Sequence, residues 1–335
     1  MSLTNSIVDV PGILVGHAQD DEAITGCSVI LCPKGAVSGV SQSGGAPGTR
    51  ETDALRPMHL VQKAHAVVLS GGSAFGLDAA SGVMKYLEEK KVGFNTGVAR
   101  VPIVASAVLF DLAIGNPNIR PDAQMGYQAC LNASDTAVPE GNVGAGAGAT
   151  AGKLFGMNQA FKTGLGTSSI KIGNLIVGSI VALNPFGDII DPDDNKIIAG
   201  TRSFSKLGLQ LGERDYFANT LVTMGSLIGK FILKGVNNSN TVIAVVATNA
   251  RLSKEESNKV AQMAQDGIAM TVRPAHTMMD GDTIFALSTG EFKEDVNLVG
   301  AYAAQSLKLS IIRAVKNSVS AGGLPAYPNL STGQI

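Results

Sequence analysis

The chain is poor in charge. Its 335 residues include 26 Lys and Arg against 27 Asp and Glu, so only 16% of the residues are charged and the formal net charge is −1. A nucleic-acid-binding protein needs a basic stripe, and a solvating tail needs a run of like charges. The sequence has neither. We therefore expect small, neutral or amphipathic substrates and no nucleic-acid partner.

Cysteine is scarce as well. Cys27, Cys32 and Cys130 are odd in number, and their spacing forms neither a CxxC pair nor a zinc quartet. They are expected to be small buried hydrophobic residues in a reducing compartment. The first 15 residues lack the basic run and apolar core of a signal peptide. A cytoplasmic protein is therefore expected.

No apolar run is long enough to cross a membrane. The strongest candidate, the segment 217–233, is too short and is interrupted by Asn219, two glycines and Lys230. We expect no membrane contact and interpret this segment as a buried helix.

Strand and helix patterns alternate along the chain. Short apolar runs typical of strands are separated by segments whose apolar residues recur every three or four positions, as in amphipathic helices. The predicted strands cover 12–15, 27–31, 66–70, 101–112, 169–183 as one or two strands, 241–248 and 283–288. The predicted helices cover 74–91, 295–317 and a segment that starts at Ser253. Together they predict one domain of layered α and β structure, with sheets covered by helices.

Familiar catalytic motifs are incomplete in this chain. The glycine-rich segment 144–153 is similar to a phosphate-binding loop, but Ala147 stands where that motif needs its first glycine and Leu154 where it needs serine or threonine. The segment 71–76 follows a strand as a nucleophile elbow does, yet a phenylalanine replaces the last glycine, which leaves Ser73 a weak candidate. None of the four histidines is marked by its neighbours as a triad member. Each is expected to lie in the core or at the surface.

Two carboxylates flank one glycine directly before a predicted strand. In Asp280-Gly281-Asp282 both side chains can point the same way and accept protons from a hydroxyl and an ammonium group. The alternatives are an ordinary Asp-Gly turn and a Ca²⁺ or Mg²⁺ site completed by aspartates of the segment 191–194. That segment lacks the glycine and glutamate spacing of a calcium loop. We expect no metal site.

A polar turn meets an apolar strand at one hydroxyl residue. The segment 234–239 and Asn240 are polar, and Thr241 opens an apolar run. A threonine hydroxyl is a poor nucleophile alone, but cleavage before Thr241 would give it an α-amino group, with a pKa of about 8, that can act as its base. The alternative is that the polar residues form a turn and Thr241 simply begins a core strand.

Several motifs follow one another in a characteristic order. They are the segments 44–53 (GGAPGTRETD), 70–80 (SGGSAFGLDAA), 101–104 (VPIV), 141–146 (GNVGAG), and 240–241 (NT) followed by 245–248 (VVAT). Through these motifs the chain resembles the DmpA-type aminopeptidase and nylon-oligomer hydrolase family over nearly its whole length. The resemblance favours cleavage before Thr241.

The resemblance implies a four-layer αββα sandwich of the N-terminal-nucleophile type, made as a precursor that cleaves itself. The cut would fall between Asn240 and Thr241 and give an α chain of residues 1–240 and a β chain of residues 241–335. The two chains would stay associated and assemble into homo-oligomers, expected to be tetramers of cleaved protomers.

The resemblance also implies roles for individual residues. Thr241 would attack an amide carbonyl, while Asp280 and Asp282 orient its hydroxyl and amino group. Lys153 would supply positive charge near the nucleophile, and Asn184 would donate its side-chain amide to the oxyanion. From the residues alone, Lys153 can equally be a capping or surface lysine, and Asn184 can form a turn before the following proline.

The pattern of the three catalytic residues selects a branch of the family. The aminopeptidases use serine with a serine and a glutamate, whereas Thr241 with two aspartates is similar to the nylon-oligomer hydrolases, endo-type amidases of 6-aminohexanoate oligomers. Phe110 matches a tyrosine that serves the oxyanion in aminopeptidase relatives, and phenylalanine cannot donate a hydrogen bond.

The predicted activity is hydrolysis of linear or cyclic 6-aminohexanoate oligomers, or of similar oligoamides, by acyl transfer to Thr241 without a cofactor. Two alternatives stay open. One is an aminopeptidase or β-aminopeptidase that trims short peptides. The other, more distant, is an uncleaved protein that binds a small anionic ligand on its glycine loops.

Overall fold

The computed structural model describes residues 3–206, 209–211, 216–233 and 240–327. Its strands are β1 (Leu14–Asp20), β2 (Thr25–Gln42), β3 (Thr49–Arg50), β4 (Lys63–Ser70), β5 (Phe94–Asn95), β6 (Arg100–Val101), β7 (Val104–Val108), β8 (Thr150–Ala151), β9 (Phe161–Lys162), β10 (Leu165–Ile172), β11 (Leu175–Asn184), β12 (Asp188–Asp191), β13 (Lys196–Ala199), β14 (Phe204–Lys206), β15 (Leu209–Leu211), β16 (Thr241–Arg251), β17 (Val272–Arg273) and β18 (Thr283–Lys293). Its α-helices are α1 (Ala79–Glu89), α2 (Ala123–Leu131), α3 (Thr220–Gly225), α4 (Leu227–Leu233), α5 (Lys254–Ala269) and α6 (Val296–Lys316).

Nine strands form one sheet that runs in the order β10-β11-β16-β18-β2-β4-β7-β3, with β1 paired to β2. The pairs β16–β18 and β4–β7 are parallel, and the other neighbours are antiparallel. The 18-residue strand β2 belongs to both halves of the sheet, because its first part pairs with β1 and β4 and its last part pairs with β18.

Three hydrophobic cores divide the fold into four layers. The first core lies between helices α5 and α6 and one face of β11, β16 and β18. The second lies between the two halves of the sheet, where Ile243, Val245 and Phe285 pack against residues of β2, β4 and β7 such as Val67 and Leu69. The third lies between β2 and β4 and the helices α1 and α2. The packing is therefore helix, sheet, sheet, helix, and the predicted αββα sandwich is confirmed.

Most predicted elements are confirmed, with changed bounds. The run 169–183 forms two strands, and the helix from Ser253 has its predicted capping box with Glu256. The segment 74–91 begins as a 3₁₀ helix over Ser73–Asp78 before α1. The predicted strand 101–112 is broken, because β6 ends at Val101 and β7 starts at Val104.

One prediction is wrong. The segment 217–233 is not a single buried helix but the two short helices α3 and α4, with exposed apolar side chains that include Leu227 and Phe231. Apolar composition alone suggested burial there, although α3 ends at Gly225 and Ser226 separates it from α4. Within the described ranges, no helix is both long enough and apolar enough to span a bilayer. The three cysteines are free and buried, as predicted.

Two phenylalanines test this packing. Phe285 is fully buried between the halves of the sheet, whereas Phe231 on α4 is 79% exposed. We expect Phe285→Ala to lower the free energy of unfolding by about 4 kcal/mol. Phe231→Ala should change it by less than about 0.5 kcal/mol. Urea denaturation followed by circular dichroism measures both values, and equal losses would contradict the layered core.

Candidate active site

Thr241 is buried at the first position of β16, in the centre of the sheet. On one side its strand pairs with β11, which places Asn184 directly opposite Thr241. On the other side β16 runs parallel to β18, and a bridge between Asn240 and Asp280 continues that pairing before both strands begin. The parallel register therefore lays Asp280-Gly281-Asp282 alongside the Asn240–Thr241 peptide bond, although the two segments lie 40 positions apart.

The carbonyl oxygen of Asn240 receives two hydrogen bonds. The Gly281 amide donates to it at 3.0 Å, and the Thr241 hydroxyl donates to the same oxygen. A Cβ atom at position 281 would lie 2.9 Å from Thr241 Oγ and 2.6 Å from the Ala46 carbonyl oxygen. Glycine is therefore required there, because a side chain would press on the hydroxyl that contacts the peptide bond.

Asp280 is a buried carboxyl held by main-chain and side-chain donors. Its Oδ1 accepts the Phe186 amide at 3.1 Å, and its Oδ2 accepts the amide and the hydroxyl of Thr277. Burial raises the pKa of Asp280, and the negative charge of Asp282 raises it further, while the hydrogen bonds from Thr277 and Phe186 oppose the shift. On balance these effects favour the protonated form of Asp280.

Asp282 links strand β16 to the loop that contains His276. Its Oδ1 accepts the Val242 amide at 2.8 Å, next to Thr241. Its Oδ2 accepts the His276 amide at 3.2 Å and lies 2.8 Å from His276 Nδ1. One carboxylate thus connects Val242, the residue after Thr241, to a half-buried histidine.

Lys153 and Asn184 form a second polar group beside Thr241. The Lys153 ammonium donates to Asn184 Oδ1 at 2.9 Å and to the main-chain carbonyls of Thr150, Asn184 and Pro185. Burial lowers the pKa of Lys153 to about 7, against the opposing charge of Asp280. Lys153 is only 5% exposed, so the alternative of a surface lysine is wrong.

Asn184 is oriented by its neighbours. Its Oδ1 also accepts the Thr150 amide, and its Nδ2 donates to the Phe110 carbonyl at 3.1 Å. The side-chain amide of Asn184, which was predicted to donate to an oxyanion, therefore donates to the Phe110 carbonyl in this structure. Its Oδ1 accepts from Lys153 and Thr150, and because this oxygen is only an acceptor, Nδ2 is the one atom of the side chain that can donate to an oxyanion.

A glycine-rich loop closes one side of the site. The main-chain amides of Ser43 and Ala46 donate to the carbonyls of Asp282 and Asp280, at 3.0 and 2.9 Å. A Cβ atom at Gly44 would lie 2.2 Å from the Asp280 carbonyl oxygen, so this loop approaches the aspartates more closely than any side chain would allow. Part of the family-like segment 44–53 therefore acts as backbone packing against the site.

The predicted site residues thus lie together: Thr241, Asp280, Asp282, Lys153 and Asn184. Sequence reasoning missed His276, the amide of Gly281 and Thr277. The one available signal was position, because His276 and Thr277 stand four and three residues before Asp280. The polar turn expected at 234–239 lies outside the described residues. Among the described residues, no three His, Cys, Asp or Glu side chains converge in a way that could hold a metal ion.

A second buried lysine was also missed. The Lys162 ammonium donates to the main-chain carbonyls of Gly146, Ala149 and Thr163, and the residue has no exposed surface. Burial lowers the pKa of Lys162 to about 7, opposed by the charge of Asp111. Both buried lysines thus hold the glycine-rich segment 144–152 through its main-chain carbonyls. Lys162 bonds to Gly146 and Ala149, and Lys153 bonds to Thr150.

A family model described as "Peptidase family S58" matches residues 5–326. The chain is 40% identical to an uncharacterized aminopeptidase of Mycobacterium leprae (strain TN), over 98% of this chain and 95% of that protein. It is 32% identical to the 6-aminohexanoate-oligomer endohydrolase of Paenarthrobacter ureafaciens, over 84% of this chain and 74% of that protein.

Solved structures agree on the fold. The L-aminopeptidase D-Ala-esterase/amidase of Ochrobactrum anthropi, described as a variant of the Ntn hydrolase fold, matches with a TM-score of 0.68 at 19% identity, covering 96% of this chain and 88% of that one. A β-aminopeptidase of Burkholderia sp. matches with a TM-score of 0.66 at 19% identity, covering 97% and 91%. At these identities the match shows the fold alone, and it is the Ntn hydrolase fold.

A substitution of Lys162 tests the effect of burial on a lysine without changing Thr241 or its neighbours. The folded pKa of Lys162, about 7, lies below the ordinary value of 10.5, so between these values the unfolded chain binds more protons and stability rises with pH. Lys162→Met removes this gain. Relative to the parent, the variant should therefore lose ~1 kcal/mol of stability per pH unit across this range.

Chemical denaturation at several pH values measures that difference. The matched control is Lys171→Met, which replaces an exposed lysine on β10. Its stability should follow the parent at every pH. A Lys162→Met curve parallel to the parent would show that the buried ammonium keeps its ordinary pKa.

Proposed function

The chain belongs to peptidase family S58, as the sequence resemblance indicated, and we propose that it is an N-terminal-nucleophile amidohydrolase that cleaves itself between Asn240 and Thr241. The observation that carries the proposal is the geometry around one carbonyl. The Asn240 oxygen accepts the Gly281 amide and the Thr241 hydroxyl, while two carboxyl groups flank the same peptide bond. This arrangement suits attack on that bond better than it suits a simple strand start.

In the proposed self-cleavage, Thr241 Oγ bonds to the Asn240 carbonyl carbon, and its proton passes to one of the two carboxylates. The Gly281 amide stabilises the oxyanion that forms. The carbon–nitrogen bond then breaks, the proton goes to the leaving amine, and Asn240 is left as an ester on Thr241. Water hydrolyses the ester, so Asn240 ends in a carboxylate and Thr241 gains a free α-amino group.

Turnover repeats this chemistry on a substrate amide. The α-amino group takes the hydroxyl proton, the hydroxyl attacks the substrate carbonyl, and the amine product leaves before water hydrolyses the ester. Lys153 supplies positive charge through its contact with Asn184 Oδ1. After the cut, the Asn184 amide can turn from the Phe110 carbonyl to a substrate oxyanion, since it lies on the strand facing Thr241. No step needs a cofactor.

The two products, residues 1–240 and 241–335, are proposed to stay together. Strands β16 and β18 of the second product lie side by side between β11 and β2 of the first. Separation of the two products would break the pairing of β16 with β11 and of β18 with β2, and it would expose the hydrophobic cores on both faces of these strands. We further propose that the cleaved protomers assemble into homo-oligomers, expected to be tetramers, in the cytoplasm.

For the substrate we propose 6-aminohexanoate oligomers, linear or cyclic, or similar oligoamides. The support is the threonine with two aspartates, together with relatives at 30–32% identity that are named 6-aminohexanoate-oligomer endohydrolases. Such chains are uncharged between their ends, which suits the low charge of this protein.

A second candidate, an aminopeptidase on short peptides, is favoured by a different observation. Relatives named aminopeptidases are 39–40% identical to this chain, more than the endohydrolases are. An aminopeptidase needs the free amino end of its substrate, whereas an endo-acting amidase does not. The two candidates therefore differ in a property that a pair of substrates can separate.

Self-cleavage predicts two chains from one gene product. Intact mass and N-terminal sequencing should show a smaller chain beginning Thr-Val-Ile-Ala, while Thr241→Ala stays a single chain of 34.3 kDa. Thr241→Ser keeps a hydroxyl and should still be cut. Asp282→Asn should slow cleavage at least about tenfold, because it weakens proton transfer. Complete processing of Thr241→Ala would remove Thr241 from the mechanism.

The substrate class is tested with a linear 6-aminohexanoate tetramer carrying either a free or an acetylated amino end. An endo-acting amidase should cut both, with kcat/KM values that differ by less than about tenfold, because its site makes no essential bond to that amine. Mass spectrometry of the products locates the cut. A loss of about 1,000-fold or more on acetylation would favour the aminopeptidase instead.

A further inference from the structure

His276 is a partly exposed residue in direct contact with the buried carboxylate of Asp282. Its side chain is 24% exposed, whereas that of Asp282 is 2% exposed. Its Nδ1 lies 2.8 Å from Asp282 Oδ2, and its main-chain amide donates to the same oxygen. The histidine therefore binds Asp282 twice, through one oxygen, and leaves the other oxygen to the Val242 amide.

The backbone at His276 is fixed in an uncommon conformation. Its φ is 56°, in the left-handed region that few residues other than glycine, asparagine, aspartate and histidine adopt. This conformation lets both the ring and the main-chain amide face Asp282. Left-handed residues persist where surrounding contacts hold them, and functional sites are a frequent location.

The charges around His276 favour its protonated form. Burial lowers its pKa, but the hydrogen bond and the charge of Asp282, the Gln265 carbonyl on α5 and the charge of Asp280 together raise it above the ordinary value. These two aspartates are the charged groups that act most strongly on it. Arg273, on β17 before the loop, donates to Asn195 instead.

We propose that His276 is a positioning residue that keeps the Asp282 carboxylate ionised and aimed at the start of β16 during self-cleavage and turnover. The inference rests on the proposed role of Thr241. An Asp282 held as an anion by His276 in turn raises the pKa of Asp280, which favours the protonated form of that second carboxyl group.

This role predicts a pH-dependent defect in His276→Asn. Asparagine tolerates the left-handed backbone but carries no charge. Loss of a cation at hydrogen-bond distance raises the pKa of the carboxylates, so the acid limb of the rate should move up by roughly one pH unit. On the acid limb of the pH profile the variant should be about tenfold slower than the parent, and at higher pH it should approach the parent rate, because the carboxylates then ionise without help from the histidine's charge.

Self-cleavage provides the readout. Full-length chains are labelled in cell-free translation, synthesis is stopped, and the remaining precursor is followed on gels after dilution into buffers of different pH. Parent, His276→Asn and Thr241→Ala chains are compared. If the parent never cleaves, the proposed function fails and this inference fails with it. If the parent cleaves and the ratio of variant to parent rates is the same at every pH, His276 has only a structural role and the inference alone is overturned.

A direct titration covers the case in which His276→Asn does not fold. In the uncut Thr241→Ala chain, histidine NMR should show that the pKa of His276 lies above the ordinary 6.5 and falls when Asp282→Asn is added. An unchanged His276 pKa in that double variant would overturn the ion pair, whatever the cleavage assay shows.

Discussion

The site depends on the parallel pairing of β16 with β18. This pairing brings Asp280-Gly281-Asp282 beside the Asn240–Thr241 bond and directs the Gly281 amide at the Asn240 carbonyl. A shift of one residue would turn each strand residue to the opposite face and would give the amide to a different oxygen. Helices α5 and α6 pack on the same strands and hold the register from the outer face. The packing that forms the hydrophobic core therefore also fixes the positions of the site residues around Thr241.

Burial sets the protonation of this site. Lys153 and Asp280 are both deep in the protein, and burial moves their pKa values toward each other, down for the amine and up for the acid. Shifts in these directions are typical of groups that take part in acid–base chemistry. Lys162 is equally buried and donates to three main-chain carbonyls, whereas Lys153 also donates to the side chain of Asn184, the residue opposite Thr241.

Local patterns predicted much of the fold and the main site residues. Thr241 opens an apolar run and the two aspartates precede another, so their places at strand starts follow from short stretches of sequence. Lys153 and Asn184 came from family resemblance. The contact of His276 with Asp282 was not predictable, since it depends on a left-handed residue and on a folded loop. The burial of Lys162 was not predicted, because the sequence does not show that its ammonium donates to three main-chain carbonyls. The prediction for the segment 217–233 was wrong because exposed and buried apolar helices can have the same composition.

The central place of β16 and β18 has a consequence for the life of the molecule after the proposed cut. While the chain is continuous, both strands enter the sheet by closing a loop, and the loss of entropy is that of a single chain. Once residues 1–240 and 241–335 are separate, the same insertion becomes an encounter of two molecules and depends on their concentration. The native sheet would then form only once, when the precursor folds, and it would persist afterwards because the two chains unfold and separate slowly. Maturation would thus turn a protein that can fold repeatedly into one whose persistence is a matter of rate.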